Sequence, residues 1–364
     1  MDQALGWAQR SLWLTSPNPR VGCVLVNLAG HTIGQGHTQQ AGGPHAEVMA
    51  LRDAAAQGHS TAGATAYVTL EPCSHHGRTG PCCDALINAG VRKVVASIAD
   101  PNPLVAGQGF ARLRAAGVDV EVGPGAAESR ELNIGFFSRM LRKTPWVRMK
   151  IAASLDGKTA LPDGTSQWIT SEAARTDGHA WRARACAVLT GIGTVLEDNP
   201  RLDVRLVDTP RQPIRVLVDS RLQVPLDAHI LRASTPIYIY AAVQNGAKKS
   251  ALEALGATVI YLPDTQNAQG KVDLAAMLRD LGARQINELH IEAGAKLNGS
   301  LIRAGLVDEF LVYLAPQLIG AGRGMAEFGP LAALSDATPL SFESTTLVGP
   351  DLRILARIPG RDVF

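Results

Sequence analysis

No run in the 364-residue chain approaches the roughly 18 consecutive apolar residues needed to span a bilayer. The N-terminus, MDQALGWAQR, also lacks a basic leader followed by an apolar core. Membrane insertion and export are therefore not expected, and the expected location is the cytoplasm. Charge of neither sign is in excess: 35 Lys and Arg stand against 33 Asp and Glu, leaving +2. That balance gives no reason to expect nucleic acid or an anionic membrane surface as a partner. Short-period repeats and low-complexity tracts are missing, and like charge clusters only in the small group at Arg142 and Lys143. Cysteine is scarce and odd in number, at positions 23, 73, 82, 83 and 186. Without an export signal, that argues against a disulfide framework. Cys23 and Cys186 lie in apolar stretches and read as small buried side chains. Cys73, Cys82 and Cys83 remain to be explained.

What is present suits a compact α/β protein. Hydrophobic residues make up 46% and charged ones 19%, a composition that argues against long disordered tails. Single cores stop growing near roughly 250–300 residues, so this length implies two. The first third alternates β-like runs with helical patterns: VGCVLVN (21–27), HAEVMALRDAAAQ (45–57), ATAYVTL (64–70), CDALINAG (83–90) and KVVASIA (93–99). After VDVEV (118–122), the segment GPGAAESRELNIGFFSRMLRKTP reads as a glycine-proline start, one helix and a basic turn ending at Pro145. The rhythm then restarts with WVRMKIAAS (146–154), a helix around 171–185, AVLTGI (187–192), PIRVLVD (213–219) and PIYIYAA (236–242). Further strands are expected at 257–262, 286–291 and 307–314. Helices layered on sheets follow for both halves, with domains at 1–145 and 146–364.

GGPHAEVMA (42–50) opens a helix with His45 and Glu47 two positions apart. Alone, this pattern is equally a solvated first turn, where an acid suits the positive helix end. TLEPCSHHGRTGPCC (69–83) changes its weight, because it supplies two separated thiols, each preceded by proline, at Cys73 and Cys82. Thiolates bind Zn²⁺ tightly, and three protein ligands with one open position make a catalytic site. Both cysteines stand where helical patterns are expected to begin, and a helix N-terminus favours the thiolate. Zinc deaminases pair a His-Cys-Cys site with a non-ligand glutamate two residues after the histidine, so Glu47 becomes a proton carrier. The eight residues between Cys73 and Cys82 depart from the generic two-residue spacing. A structural zinc is the bland alternative, with His75, His76 or Cys83 as fourth ligand. Cys83 is disfavoured because neighbouring helical residues point about 100° apart.

The second half has neither a metal cluster pattern nor an activated nucleophile. LTGIGTVLEDNP carries Gly191 and Gly193 without the third glycine of a dinucleotide fingerprint, and EAGAKLNGS (292–300) lacks the lysine of a P-loop. Such turns still let a backbone approach phosphate. The small-residue loop at 294–300 is expected to precede a helix at 300–304.

The stretches SPNPRVGCVLV, GGPHAEVMAL, TLEPCSHHGRTGPCCDAL, DPNPLVAGQG, KIAASLDGKTA and SQWITS together resemble the bifunctional riboflavin-biosynthesis family RibD, over essentially the whole chain. The resemblance implies an N-terminal cytidine-deaminase-like three-layer α/β/α domain and a C-terminal dihydrofolate-reductase-like α/β domain. It also implies two reactions. One is hydrolytic loss of the 2-amino group from 2,5-diamino-6-ribosylamino-4(3H)-pyrimidinone 5′-phosphate. The other is NADPH-dependent reduction of the ribosyl group, giving 5-amino-6-ribitylamino-2,4(1H,3H)-pyrimidinedione 5′-phosphate.

The long cysteine spacing is this family's own pattern. Carried onto matching positions, it makes His45, Cys73 and Cys82 the zinc ligands and Glu47 the proton shuttle. Asn18 and His37 would line the base pocket and Arg78 would approach the phosphate. Cofactor contacts fall on Ala152, Trp168, Thr194, Asp198, Ser220 and the run Gly294, Ala295, Lys296, Leu297, Asn298, Gly299 and Ser300. Ser220 and Arg221 end a strand where a cation can meet the ribose 2′-phosphate of NADPH. Substrate contacts fall on Ser166, Arg182, Leu202, Arg205 and Glu292, and guanidinium suits a sugar phosphate; surface ion pairing is the alternative for Arg182 and Arg205. Lys150, Asp198 and Glu292 are unranked candidates for assisting proton movement.

Two other readings stay open: a single-function zinc deaminase for a nucleoside or RNA base with a C-terminal binding module, and a zinc-stabilised assembly protein. Near-neutral charge speaks against RNA. The expected partner is a small phosphorylated pyrimidine, with a homo-oligomer formed through the second half.

Overall fold

The computed structural model describes residues 1–75, 80–103, 105–266 and 270–364, in two compact units, Met1–Lys143 and Thr144–Phe364. The first unit holds a five-stranded sheet in the order β2-β1-β3-β4-β5. Its strands are β1 (Gly22–Val26), β2 (Thr32–His37), β3 (Thr65–Val68), β4 (Lys93–Ala96) and β5 (Asp119–Val122). β1 runs antiparallel to β2 and β3, whereas β3, β4 and β5 are parallel. The helices are α1 (Asp2–Gln9), α2 (Ala46–Ala56), α3 (Cys82–Asn88), α4 (Gln108–Ala115), α5 (Ala126–Leu132) and α6 (Ile134–Arg142).

Glycines set two of the layers. A Cβ at Gly22 would lie 1.9 Å from the Ala4 carbonyl oxygen, and one at Gly36 would lie 2.5 Å from Met49 Cβ. α1 and α2 therefore press directly onto the sheet. Gly22 pairs with His37 and Cys23 with Gly36, and successive strand residues point to opposite faces, so the two helices cover opposite sides. The single helix expected after β5 is two. Asn133 breaks it, because its side chain accepts from Arg20 N at 2.7 Å and donates to the Arg20 carbonyl at 2.9 Å. That exchange also anchors the Ser-Pro-Asn-Pro-Arg loop.

The second unit is built on a nine-stranded sheet in the order β11-β10-β9-β8-β12-β6-β13-β16-β15. Its strands are β6 (Trp146–Ser154), β8 (Ala187–Gly191), β9 (Ile214–Val218), β10 (Ile237–Ala241), β11 (Ala257–Tyr261), β12 (Glu288–Ile291), β13 (Glu309–Ala315), β15 (Ser341–Val348) and β16 (Asp351–Arg357). Strands β11 through β13 in that order are parallel, and β16 and β15 close the edge as an antiparallel hairpin. A short pair, β7 (Lys158–Ala160) with β14 (Arg323–Gly324), stands apart. Helices α7 (Glu172–Arg184), α8 (Ile192–Asp198), α9 (Gly246–Ala254), α10 (Leu274–Ala283) and α11 (Ala295–Arg303) complete it. β8 and β12 are buried at every residue; β8 reads as a near-continuous apolar run, whereas β12 alternates the buried polar Glu288 and His290 with Leu289 and Ile291.

The small-residue segment expected to be a loop is helical from Ala295 onward. Gly299 lets this helix pack directly on the 325–327 segment, since a Cβ there would sit 1.8 Å from the Glu327 carbonyl oxygen. The closing hairpin at 341–357 is not anticipated by the sequence reading, because every residue of β15 but the last is exposed and no apolar face marks that strand.

One face of this sheet carries a buried ionic cluster. Arg148 Nε meets Glu309 at 2.5 Å and its Nη1 meets Glu288 at 3.0 Å. Arg184 Nε reaches Glu288 at 2.8 Å, and Arg357 Nη2 reaches Glu309 at 2.9 Å. The Trp181 ring of α7 lies under the Arg148 guanidinium at 4.5 Å. Burial alone would push Glu309 up, but Arg148, Arg357 and Arg184 hold it below the usual carboxylate range. Glu309→Gln strips the anion from these arginines and is expected to destabilise this unit by about 3–5 kcal/mol. Denaturant melts followed by tryptophan fluorescence check this; a loss under about 1 kcal/mol, the range of ordinary substitutions, contradicts it.

Candidate functional sites

In the first unit, His45 is the N-cap of α2 and Cys82 the first residue of α3. Cys73 lies in the loop after β3 and not at a helix start, correcting that expectation. His45 Nδ1 stands 3.6 Å from Cys73 Sγ and 3.3 Å from Cys82 Sγ. The Cys82 backbone N–H donates to Cys73 Sγ at 3.3 Å. A tetrahedron with zinc–sulfur bonds of about 2.3 Å and a zinc–nitrogen bond of about 2.0–2.1 Å has a sulfur-to-nitrogen edge of about 3.6 Å. The donor set fits a zinc ion in both chemistry and spacing.

Electrostatics agree. A hydrogen bond from Cys82, helped by His45 and opposed by burial, draws Cys73 down to about 4, while the neighbouring sulfur, burial and Glu47 push Cys82 up. Glu47, 3% exposed in the first turn of α2, is pushed up by burial and by Cys73. Cys83 donates to the Pro72 carbonyl at 3.2 Å, and among the described residues the grouped metal-type donors are His45, Cys73 and Cys82. His75 is exposed, while Arg78 and His76 lie outside the described residues. Asn18 sits half-buried in the loop before β1. His37 ends β2 with its ring stacked on Trp7 at 5.9 Å, on the α1 side of the sheet, and no described contact joins it to the cysteines.

The sequence reading passed over Glu71. Its carboxylate, 3% exposed, accepts backbone N–H groups from Asp100 (3.1 Å), Gly107 (2.9 Å), Gly109 (2.9 Å) and Phe110 (3.3 Å). A Cβ at Gly109 would lie 2.1 Å from the Pro72 carbonyl oxygen. The start of α4 is thereby clamped onto the turn that presents Cys73. An acid directly before Pro-Cys was the available signal.

In the second unit, Arg182, Arg205 and Glu292 are brought together. Arg182 grips Glu292 with Nε and, at 2.8 Å, Nη2, and its Nη1 donates to the Asp203 carbonyl at 2.9 Å. Arg205 Nη1 meets Asp203 at 2.6 Å. Lys150 Nζ lies 3.9 Å from Glu292. With 13% side-chain exposure Arg182 is no surface pair, whereas Arg205, at 46%, opens to solvent. Leu202 is buried with φ +53°, and Ser166 is half-buried in the loop after β7.

A Cβ at Gly294 would lie 3.7 Å from Thr194 Oγ1, and one at Gly191 would lie 3.1 Å from Leu297 Cδ2. The two glycine turns are thus neighbours at the carboxyl ends of β8 and β12. Lys296 is exposed and Ala295 half-buried, and Ser300 Oγ donates to the Lys296 carbonyl at 3.0 Å. Asn298 and Gly299 turn onto the 325–327 segment, Asn298 donating to the Met325 carbonyl at 3.0 Å. Ala152 is half-buried on β6, Ser220 follows β9, and Asp198 ends α8 exposed. Trp168 is 65% exposed with the Arg175 guanidinium 4.5 Å over its ring.

Residues 1–98 match the cytidine and deoxycytidylate deaminase zinc-binding region, and residues 145–354 match the RibD C-terminal domain. The riboflavin biosynthesis protein RibD of Escherichia coli (strain K12) is 45% identical over 97% of this chain and 96% of its own length. The chain belongs to the RibD family. RibD of Aquifex aeolicus is 39% identical over 97% of the chain and 96% of its own length. The solved structure of Acinetobacter baumannii RibD gives a TM-score of 0.88 at 40% identity, covering 98% of this chain and 97% of that one. The deaminase/reductase of Thermotoga maritima gives 0.86 at 30%, with coverages of 98% and 97%. As a RibD, this protein is a bifunctional α/β enzyme of riboflavin biosynthesis, a deaminase with zinc and a reductase with NADPH as cofactors. No described helix is long and apolar enough to cross a membrane.

Glu71→Gln keeps the shape of the clamp but replaces one acceptor oxygen with an N–H donor. Loss of such outer support typically weakens metal binding about 10–100-fold. Competition with a chromogenic chelator measures this; a variant holding zinc as tightly as the parent contradicts the clamp.

Proposed function

We propose that residues 1–145 remove the 2-amino group of 2,5-diamino-6-ribosylamino-4(3H)-pyrimidinone 5′-phosphate and that residues 146–364 reduce the ribosyl chain of the product with NADPH. The observation that carries the reading is the approach of two sulfurs to one imidazole nitrogen within 3.6 Å, beside a buried carboxylate, in a chain of this family. His45, Cys73 and Cys82 hold the zinc. When bound, zinc supplies a water acidic enough to be a nucleophile near neutral pH. Glu47 would carry the attacking water's first proton to the ring nitrogen and the proton of the newly attached hydroxyl to the leaving amine, which departs as ammonia. Asn18 and His37 orient the base, and Arg78 meets the phosphate.

In the reductase half, Arg182 and Arg205 hold the sugar phosphate, with Ser166, Leu202 and Glu292 completing the substrate contacts. The adjoining turns at Thr194 and Gly294–Ser300, with Ala152, Trp168, Asp198 and Ser220, hold NADPH, which supplies hydride. Lys150, beside Glu292, is placed to deliver a proton to the opening ring. Asp198 is exposed, whereas Lys150 and Glu292 lie side by side and largely covered, which favours that pair for this work.

The enzyme works in the cytoplasm, in keeping with five cysteines that form no disulfide. It pairs with a second copy through the reductase half. There β15 offers an exposed edge carrying Phe342 (70% exposed) and Leu347 (72%), the kind of edge that recruits another strand or chain.

Supplying the diaminopyrimidinone phosphate without NADPH is expected to release ammonia while leaving reduction idle; adding NADPH starts its oxidation. Glu47→Gln should cut ammonia release by about 10²–10⁴-fold, with one zinc per chain still found by metal analysis. Undiminished release would defeat the role of Glu47. Zinc removal by a chelator should stop ammonia release yet spare NADPH oxidation on the deaminated compound, and loss of both would tie zinc to more than deamination.

A further inference from the structure

The arginines assigned above to the sugar phosphate belong to a larger charged set on the α7 side of the nine-stranded sheet. In lateral register, Arg148, His290, Val188 and Arg215 share one row, and Arg148 contacts Trp181 of α7. Arg215 is 6% exposed, and its charge is felt by Asp203 and Arg182. Among the described residues, its Nε and Nη1 are buried without a hydrogen-bond partner. Around it the mutually interacting charges are Lys150, Arg182, Arg205 and Arg215 against Asp203 and Glu292. Four cations on two carboxylates leave the set at +2. A buried guanidinium short of acceptors is costly unless negative charge lies nearby to offset it.

His179 makes a second, independent point. Its Nδ1 accepts the Arg205 backbone N–H at 3.1 Å, so in the neutral ring the proton sits on Nε2. That nitrogen faces Arg182 Nη1 at 3.4 Å. Arg182 and Arg205, after burial, draw the ring's protonation down to about 4, which keeps the ring neutral. Two donors therefore point at one another with no acceptor between them. An oxygen of a bound anion accepts from both.

We propose that His179 and Arg215 complete, with Arg182 and Arg205, a pocket matched to a phosphate monoester dianion, His179 donating Nε2–H to a phosphate oxygen and Arg215 acting as a buried positioning charge. The proposal rests on the assignment of Arg182 and Arg205 to the substrate phosphate and names the groups that set its selectivity for two charges. Arg215 acts at a distance, since its unpartnered nitrogens are sealed from solvent. Asp203 is the one carboxylate left to balance Arg205 and Arg215, so an arriving dianion that engages Arg205 leaves Asp203 to Arg215. The free pocket is thus poised for a charge of −2 and over-positive for a neutral nucleoside.

The test compares the reductase on the deaminated phosphate ester and on its dephosphorylated counterpart, for the full-length parent, Arg215→Gln, Arg215→Lys and His179→Gln. Arg215→Gln is expected to raise KM for the phosphate ester about tenfold, with kcat nearly unchanged. The dephosphorylated compound should be unaffected, and competitive inhibition by inorganic phosphate should weaken by a similar factor. Arg215→Lys should restore most of the loss. His179→Gln should also act on the ester alone, and it carries the test should both Arg215 variants fail to fold. Variants that change both substrates alike, or neither, overturn the proposal. If the parent itself does not distinguish ester from nucleoside, it is instead the assignment of Arg182 and Arg205 that fails.

Discussion

Two sulfurs, an imidazole and a carboxylate packed into one small, mostly dry space repel or raise one another, and that constraint organises the first unit. Burial and mutual proximity push Cys82 and Glu47 up while Cys73 is drawn down, an arrangement that a divalent cation resolves, because a metal ion inverts the local proton preferences. The chain accepts this electrostatic cost because each donor is held by something unable to move away. His45 is the residue from which α2 springs, and α2 is pressed to the sheet through Gly36. Cys82 opens α3, and Cys73 is held by a turn whose preceding acid is tied to four backbone N–H groups.

The second unit solves a related problem with many charges instead of one ion. Its parallel strands are apolar on one face, but the α7 side carries ionic groups in successive rows. Toward the amino ends of β6, β12 and β13 the ions are paired, with Arg148, Arg184 and Arg357 distributed over Glu288 and Glu309. Around Lys150, Arg182, Arg205 and Arg215 the balance tips further positive, four cations on two carboxylates. The same chemistry is structural in one group and receptive in the other, because the second has the larger deficit of carboxylates. Adjoining glycine turns give backbone approach next to that positive region.

Much of this was legible in the chain. WVRMKIAAS gives β6 at its observed bounds, since Val147, Met149, Ile151 and Ala153 alternate along it after a proline and before a turn. His45, Glu47, Cys73 and Cys82 announced zinc chemistry through residue type and order. Other features were silent. The break at Asn133 depends on Arg20, 113 positions away. The packing of α11 depends on Gly299 meeting the Glu327 backbone, and β15 shows no buried face. Glu71, His179 and Arg215 look like ordinary residues, because an acid, a histidine or an arginine in a line of text carries no record of its unpaired atoms.

Composition, period and motif spacing are short-range properties, so they declared two α/β units and the kinds of atom able to bind metal and phosphate. Whether a given donor has an acceptor is a long-range property: Arg182 finds Glu292 across 110 residues, while the buried nitrogens of Arg215 find no partner among the described residues. That balance of charge exists only once the strands lie side by side, and the tertiary structure alone decided it.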